Sequence, residues 1–337
     1  CDMDRTASRI ADAITGGEKI AVLADYDVDG AASAALMARY LRGLGHDLSV
    51  HVPDRITEGY GPNAEALGRL IDDGASLIVT VDCGIAAASA FAAIQGRADV
   101  IVLDHHQAGE VLPDVAGVVN PNRLDDLAGL EYLAAAGVVF MALVAVNREL
   151  RARGAFAGAT EPDLVSLLPL VGLATVCDVV PLTGLNRAFV TQGLRLIQRR
   201  AFAGLAALAD RARLNGPASV YHLGFMLGPR INAGGRIGRS ELGYRLLASD
   251  ETSEVEAIAD ELERLNAERQ AIEAAALDEA CEVVEASAGD SAAAGAITVA
   301  SANWHPGVVG LVAARLVERY RTPAIAIALD ENGLGRG

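Results

Sequence analysis

Basic residues are scarce relative to acidic ones in this 337-residue chain: 28 lysines and arginines face 44 aspartates and glutamates, for a formal charge of −16. Gripping a phosphate backbone takes cationic side chains, so this balance argues at first sight against a nucleic-acid partner. Cysteine is thin as well. The four residues at 1, 83, 177 and 281 have neither disulfide nor zinc spacing, which fits a reducing, cytoplasmic setting. Cys83 and Cys177 read as small apolar packing groups. No apolar run reaches the ~18 residues of a membrane span. The longest, Leu133 to Val146, is broken by glycine and reads as a buried helix, so no membrane partner is expected. No segment has the pattern of a signal peptide, and no internal repeat shows. The length allows two domains, each with its own core.

What the chain does have is four acidic clusters, three of them at the ends of short apolar runs. Asp25-Tyr26-Asp27-Val28-Asp29-Gly30 follows Ile20-Ala21-Val22-Leu23, Val81-Asp82-Cys83-Gly84 follows Leu77 to Thr80, and Asp104-His105-His106 follows Val100 to Leu103. The fourth, Cys177-Asp178-Val179-Val180, lies on a helical stretch. Short apolar runs bounded by polar residues and alternating with helical patterns predict buried parallel strands, here Lys19–Asp25, Leu48–Pro53, Leu77–Asp82, Asp99–Asp104 and a short one at Gly117–Asn120. That alternation predicts an α/β fold with a doubly wound parallel sheet. Ligands of such sheets sit outside the carboxyl ends of the strands, so the clusters converge on one place. Residues 253–286 read as one long helix, on the order of 50 Å at ~1.5 Å per residue. It suits a bridge to a second, smaller α/β domain better than a coiled-coil stem, because its Ala-rich stripe lacks leucine heptads.

Five converging carboxylates (Asp25, Asp27, Asp29, Asp82, Asp178) would raise one another's pKa unless a cation lay among them. Oxygen donors with one or two imidazoles and no obligatory thiolate suit Mn²⁺ or Mg²⁺ rather than structural zinc. The number of donors exceeds what one ion needs, which points to two ions clamping a displacement at phosphorus. A calcium loop is excluded: the twelfth position from Asp25 is Leu36, where such loops need glutamate. The ligands account for at least five of the negative charges, and Asp250 to Glu285 for more. Arg195, Arg199, Arg200, Arg211, Arg213, Arg230, Arg236 and Arg239 cluster mid-sequence, so charge is segregated. Arg230 and Arg236 flank Gly234-Gly235, where backbone can come close to a phosphate.

The three motifs ending in Gly30, Gly84 and His106 resemble the DHH phosphoesterase superfamily. Pro53-Asp54-Arg55, Glu58-Gly59-Tyr60-Gly61, Leu173 to Leu182 and Pro229 to Arg236 resemble its RecJ family of single-strand-specific 5′→3′ exonucleases. Trp304-His305-Pro306-Gly307-Val308-Val309-Gly310 resembles the start of a DHHA1-type accessory domain. The resemblance implies a DHH catalytic domain over 1–190, a helical connector over 191–286 and an incomplete DHHA1-type domain over 287–337. The chain then reads as an excerpt, with an oligonucleotide-binding fold expected beyond it. It also implies that Asp25, Asp27 and Asp82 hold one ion and that Asp29, Asp82, His105 and Asp178 hold the other. Asp104 would orient an imidazole and His106 would face the scissile phosphate. Arg55, Arg230 and Arg236 would bind the 5′ phosphate, Tyr60 would stack on a base, and Asn232 and His305 would contact the strand. The implied partners are single-stranded DNA, single-strand-binding protein and a helicase, in recombination and repair. Two rivals remain: a DHH phosphoesterase acting on short oligonucleotides or cyclic dinucleotides, and a catalytically inert scaffold.

Overall fold

A computed structural model describes residues 1–286 and 295–337. The chain divides into two compact units, one of residues 1–235 and 239–262, the other of 236–238 and 263–337.

In the first unit the order is α1 (Met3–Gly16), β1 (Ile20–Ala24), α2 (Val28–Gly43), β2 (Leu48–His51), α3 (Ala64–Asp72), β3 (Leu77–Val81), α4 (Ala88–Ala92), β4 (Asp99–Leu103), β5 (Gly117–Val119) and α5 (Ala135–Ala152). Then come α6 (Leu168–Cys177), α7 (Gly184–Ile197), α8 (Ala203–Arg211), α9 (Gly228–Ile237) and α10 (Leu242–Ala248). The predicted strands form one sheet of order β2-β1-β3-β4-β5, and every pairing is parallel. β1 and β3 are buried along their whole lengths, as a sheet covered on both faces requires. One covering layer packs Leu67, Leu70, Phe91 and Ile94 onto Leu23, Ile78 and Val102. Helix α1 was not among the sequence expectations. It buries Ala7, Ile10 and Ala11, with Ile10 the one large side chain among alanines.

Residues 191–235 and 239–262, expected to form part of a connector, pack within the first unit. Arg39 of α2 donates to the carbonyls of Leu247 and Ser249, and Arg42 to that of Ala248. The arginines of the basic stretch do not stand apart from acid either. Arg200 pairs with Asp210, Arg211 with Glu256 and Asp260, and Arg239 with Glu241 and Glu261.

Helix α11 (Thr252–Ala286) gives its residues up to Leu262 to the first unit and the remainder to the second. In the second unit β6 (Ile297–Ser301) and β7 (Ala324–Leu329) pair in parallel around α12 (Val309–Tyr320), and β8 (Gly335–Arg336) joins β7 antiparallel. Ala276, Ala280, Trp304, Val312 and Leu316 fill its core, with Trp304 Nε1 donating to Glu279 at 3.0 Å. The domain boundary expected at 287 falls on residues 287–294, outside the described residues.

One glycine fixes the geometry of the β1–α2 turn. A Cβ on Gly30 would lie 2.3 Å from the Asp25 carbonyl oxygen, a contact no side chain can make. Gly30→Ala is therefore expected to cost on the order of 3 kcal/mol, seen as a lower urea midpoint. Gly310→Ala, where a Cβ meets nothing within 4 Å, is expected to be neutral or slightly stabilising.

Candidate metal centre

The sheet delivers its acidic residues as the rung just past each strand. β1 pairs Ala24 with Val81 of β3, and β3 pairs Val81 with Leu103 of β4. The next amides extend these ladders: Asp25 N donates to Val81 O, Asp82 N to Leu103 O and Asp104 N to Val119 O. The order 2-1-3-4-5 reverses between β1 and β3, so Asp25 and Asp82 sit at the switch point where open α/β sheets bind ligands. Asp82 adopts φ 60°, a left-handed conformation that a non-glycine residue holds at a cost of roughly 1–3 kcal/mol. The Tyr60 hydroxyl, donating to the Asp82 carbonyl at 3.1 Å, helps hold it there.

Helix α2 starts inside the first motif. Asp27 caps it, its Oδ1 accepting from Asp29 N and Gly30 N at 2.9 and 3.0 Å. Asp29 is buried and faces the N-terminus of α5, where Ala135 N and Ala136 N donate to its two oxygens at 2.6 and 2.8 Å. Asp178 is the residue that ends α6. Three groups of donor atoms come together, each with its atoms inside 4.8 Å: Asp25 with Asp27 and Asp82, Asp29 with His105 and Asp178, and, outside the two expected sets, Asp82 with His105 and His106.

The two histidines are held in different ways. His105 Nδ1 lies 3.1 Å from the Leu133 carbonyl, which can only accept, so Nδ1 carries the proton and Nε2 presents a lone pair. That lone pair points at Asp82 Oδ1, 3.3 Å away, and Asp29 Oδ2, 3.8 Å away. Burial, and then His106, holds the His105 pKa below its ordinary value, which keeps the ring neutral. His106 Nδ1 sits 2.8 Å from Asp104 Oδ1. Asp104 accepts three further bonds, from the amides of Ile85, His105 and His106. Burial pushes the Asp104 carboxyl up, but these donors outweigh it and the pKa falls below the ordinary value. Asp104 is thus saturated and orients His106, whose own pKa its hydrogen bond raises.

Asp25, Asp82 and Asp178 are less well satisfied. Asp25 Oδ1, Asp82 Oδ1, Asp178 Oδ2 and His105 Nε2 are buried without a hydrogen-bond partner. Such orphans are rare, because each costs its full desolvation. Burial, then Asp27, pushes Asp25 up to about 7, and the same two causes push Asp178 up to about 6. Asp29 and Asp82 are raised well above the ordinary carboxyl range, by burial first and by neighbouring carboxylates second. Four acceptor atoms with no donor among them, all oxygen or imidazole nitrogen, match hard or borderline divalent cations. The residues fit the ions that the sequence implies.

The residues read as substrate contacts lie variously. Tyr60 is 53% exposed, with its ring edge-on to His106 at 5.8 Å. The Arg55 guanidinium stacks over Tyr26 at 5.1 Å and helps hold down the pKa of Asp25. Arg230 donates to the Met226 carbonyl. The Asn232 side-chain oxygen accepts from Val28 N at 3.1 Å, so it braces the start of α2. Arg236 and His305 belong to the second unit, where Arg236 donates to the Gly307 carbonyl and His305 Nδ1 accepts from Gly307 N. The reading of Gly234-Gly235 as an approach to phosphate is overturned. A Cβ on Gly235 would meet the Tyr26 carbonyl at 2.8 Å, and one on Gly234 would meet Arg239 O and Leu262 at 3.2 Å. These glycines make room for protein packing.

Residues not flagged in the sequence also support the centre. Asn120, one residue past β5, donates to the His106 carbonyl, and Asn122 donates to that of His105. An asparagine at the end of the fifth strand was the available signal for the first.

The DHH family, N-terminal domain, matches residues 19–168. The single-stranded-DNA-specific exonuclease RecJ of Bacillus subtilis is 40% identical over 338 residues, covering 99% of this chain. The protein of that name from Haemophilus influenzae is 36% identical over 340 residues, again covering 99% of this chain. A crystal structure of exonuclease RecJ bound to manganese superimposes with a TM-score of 0.84 at 34% identity, covering 97% of this chain and 80% of that one. The chain belongs to the RecJ family. It spans 41% of the Bacillus RecJ and 59% of the Haemophilus RecJ.

If cations resolve the crowding in this RecJ-family centre, the ion-free protein should lose stability as the carboxyls ionise. Asp25 binds its proton more tightly folded than unfolded, so its contribution is fully present below its ordinary pKa of 3.8 and is lost as pH rises to about 7. That one group amounts to on the order of 4 kcal/mol. In EDTA, Asp25→Asn is expected to flatten the fall in melting temperature between pH 4 and 7. Mn²⁺ is expected to raise the parent's melting temperature more at pH 8 than at pH 5, as thermal melts across pH would show.

Proposed function

We propose that this chain is the catalytic part of a metal-dependent exonuclease that hydrolyses single-stranded DNA from its 5′ end to 5′-mononucleotides. The observation that carries the reading is the set of buried atoms without partners, Asp25 Oδ1, Asp82 Oδ1, Asp178 Oδ2 and His105 Nε2, at the switch point of the sheet. The names of the RecJ relatives and the manganese in the superimposed crystal structure support the same chemistry.

In this reading Asp25, Asp27 and Asp82 hold one Mn²⁺ or Mg²⁺, and Asp29, Asp82, His105 and Asp178 hold a second. When bound, such ions supply Lewis acidity at the scissile phosphate and lower the pKa of a water. The protein's own groups do the rest. Asp104 keeps His106 oriented and biased toward its protonated form, so the ring carries positive charge or a proton toward the leaving group. The Leu133 carbonyl fixes the His105 tautomer that leaves Nε2 free to ligate. Arg55 offers a guanidinium for the 5′-terminal phosphate, with Arg230 and Arg236 as further phosphate contacts. Tyr60 stacks on a base, and Asn232 and His305 touch the strand. The catalytic domain proper is assigned to 1–190, the connector to 191–286 and the start of a DHHA1-type domain to 287–337. A cytoplasmic role in recombination and repair beside single-strand-binding protein and a helicase completes the proposal. No helix among the described residues is long and apolar enough to cross a membrane.

Long single strands labelled at either end, incubated with Mn²⁺, Mg²⁺ or EDTA beside a matched duplex, test this directly. Expected is metal-dependent release of mononucleotides from the 5′ end of the single strand only. Asp82→Ala should lower the rate by about 10³-fold or more, as loss of a shared ligand would. Cleavage of dinucleotides alone would favour the small-substrate reading, and an active Asp82→Ala variant would sink the two-ion account.

A further inference from the structure

Beside the metal centre, two aromatic rings have no role in what precedes. Tyr221 and Phe225 are 62% and 72% exposed. They stack on each other, with ring centroids 5.2 Å apart and planes at 23°. Phe225 lies in the π-helical segment His222–Leu227, whose inner side is buried through Leu223 and Leu227. π-Helical turns are rare and frequently lie at functional sites.

The segment is tied to the centre through Cys177, the residue before Asp178. Cys177 Sγ donates to the Leu223 carbonyl at 3.4 Å. Gly228 lies so close that a Cβ there would come within 2.6 Å of the same sulfur. Arg230 turns back along the helix to the carbonyl of Met226, the neighbour of Phe225. Around the pair lie polar residues and the partly exposed Val220. Ser219 bonds His222 Nδ1, and the His222 ring stands edge-on to Tyr221 at 5.9 Å.

We propose that Tyr221 and Phe225 form a stacking platform for the unpaired bases of single-stranded nucleic acid bound at the Asp178 side of the centre. The inference rests on the nuclease reading and names a subsite for it. Every base offers a π face, so a platform of this kind holds any sequence. Two rings already stacked on each other lose little freedom when a base joins them. A paired duplex keeps its bases covered and has none to offer.

Binding in EDTA, where no strand is cut, tests the platform apart from the chemistry. Fluorescence anisotropy would compare a labelled oligothymidylate with an abasic strand of equal length, using the parent chain, Y221A/F225A and F225W. The parent is expected to prefer the strand with bases. Y221A/F225A should weaken that strand's binding about tenfold and leave the abasic strand unchanged, while F225W should bind as the parent does. Both rings are exposed, so the parent's melting temperature is expected in each variant. Unchanged oligothymidylate binding by Y221A/F225A would overturn the proposal and assign the rings to a protein interface, and a parent that binds neither strand would overturn it too. If the parent cuts DNA while the double variant binds like the parent, the platform fails and the nuclease reading stands. If base-dependent binding is lost in the variant but the parent never cuts, the platform stands and the nuclease reading fails.

Discussion

Carboxylates buried within a few ångströms of one another repel, and each must also give up its water. Asp25, Asp29 and Asp82 all lie almost wholly out of solvent, and Asp178 closes the ring. Protons relieve part of this, which is why burial and like charge push Asp25 up to about 7. A proton on Asp82 would answer the lone pair of the neutral His105, 3.3 Å away, but it would leave Asp25 Oδ1 and Asp178 Oδ2 without partners. Divalent cations would satisfy every orphaned acceptor at once, and the surrounding structure holds those acceptors in place.

The arrangement is mostly backbone. Asp25, Asp82 and Asp104 each extend the ladder of the strand before them, so the sheet's register sets the spacing of the centre. Asp27 caps the helix that carries Asp29, and Gly30 lets that helix close onto the Asp25 carbonyl. The left-handed turn at Asp82 stores strain at the residue proposed to be shared by two ions. Asp104 differs from its neighbours because four hydrogen bonds satisfy it, which leaves it to orient His106 instead of binding a cation.

Much of this could be read in the sequence because strand ends and carboxylates carry strong signals. The parallel sheet, the convergence of Asp25, Asp82 and Asp104, and the long helix follow from apolar runs and their punctuation, whereas Asp178 was legible only through the family motif Leu173 to Leu182. What could not be read belongs to contacts that residue type does not encode. The amides that hold Asp29 come from Ala135 and Ala136, and an alanine gives no sign that its N–H will meet a carboxylate. Gly234-Gly235 looked like a phosphate approach and proved to be room for Tyr26, Arg239 and Leu262, because a glycine pair signals closeness without saying to what. The arginines clustered in sequence are partly neutralised by Glu256, Asp260 and Glu261, whose proximity only the tertiary packing creates. The π-helical turn beneath Phe225 left no trace in hydrophobic periodicity.

The central claim is that this centre holds two cations, divided between the donor sets of Asp25–Asp27–Asp82 and Asp29–His105–Asp178. Anomalous diffraction from crystals of the protein grown with Mn²⁺, collected at the manganese edge, reads this directly. Two peaks, one within each set and with Asp82 between them, are the predicted result. A map without peaks in either set, with the carboxylates instead bonded to one another through protons, would contradict the account.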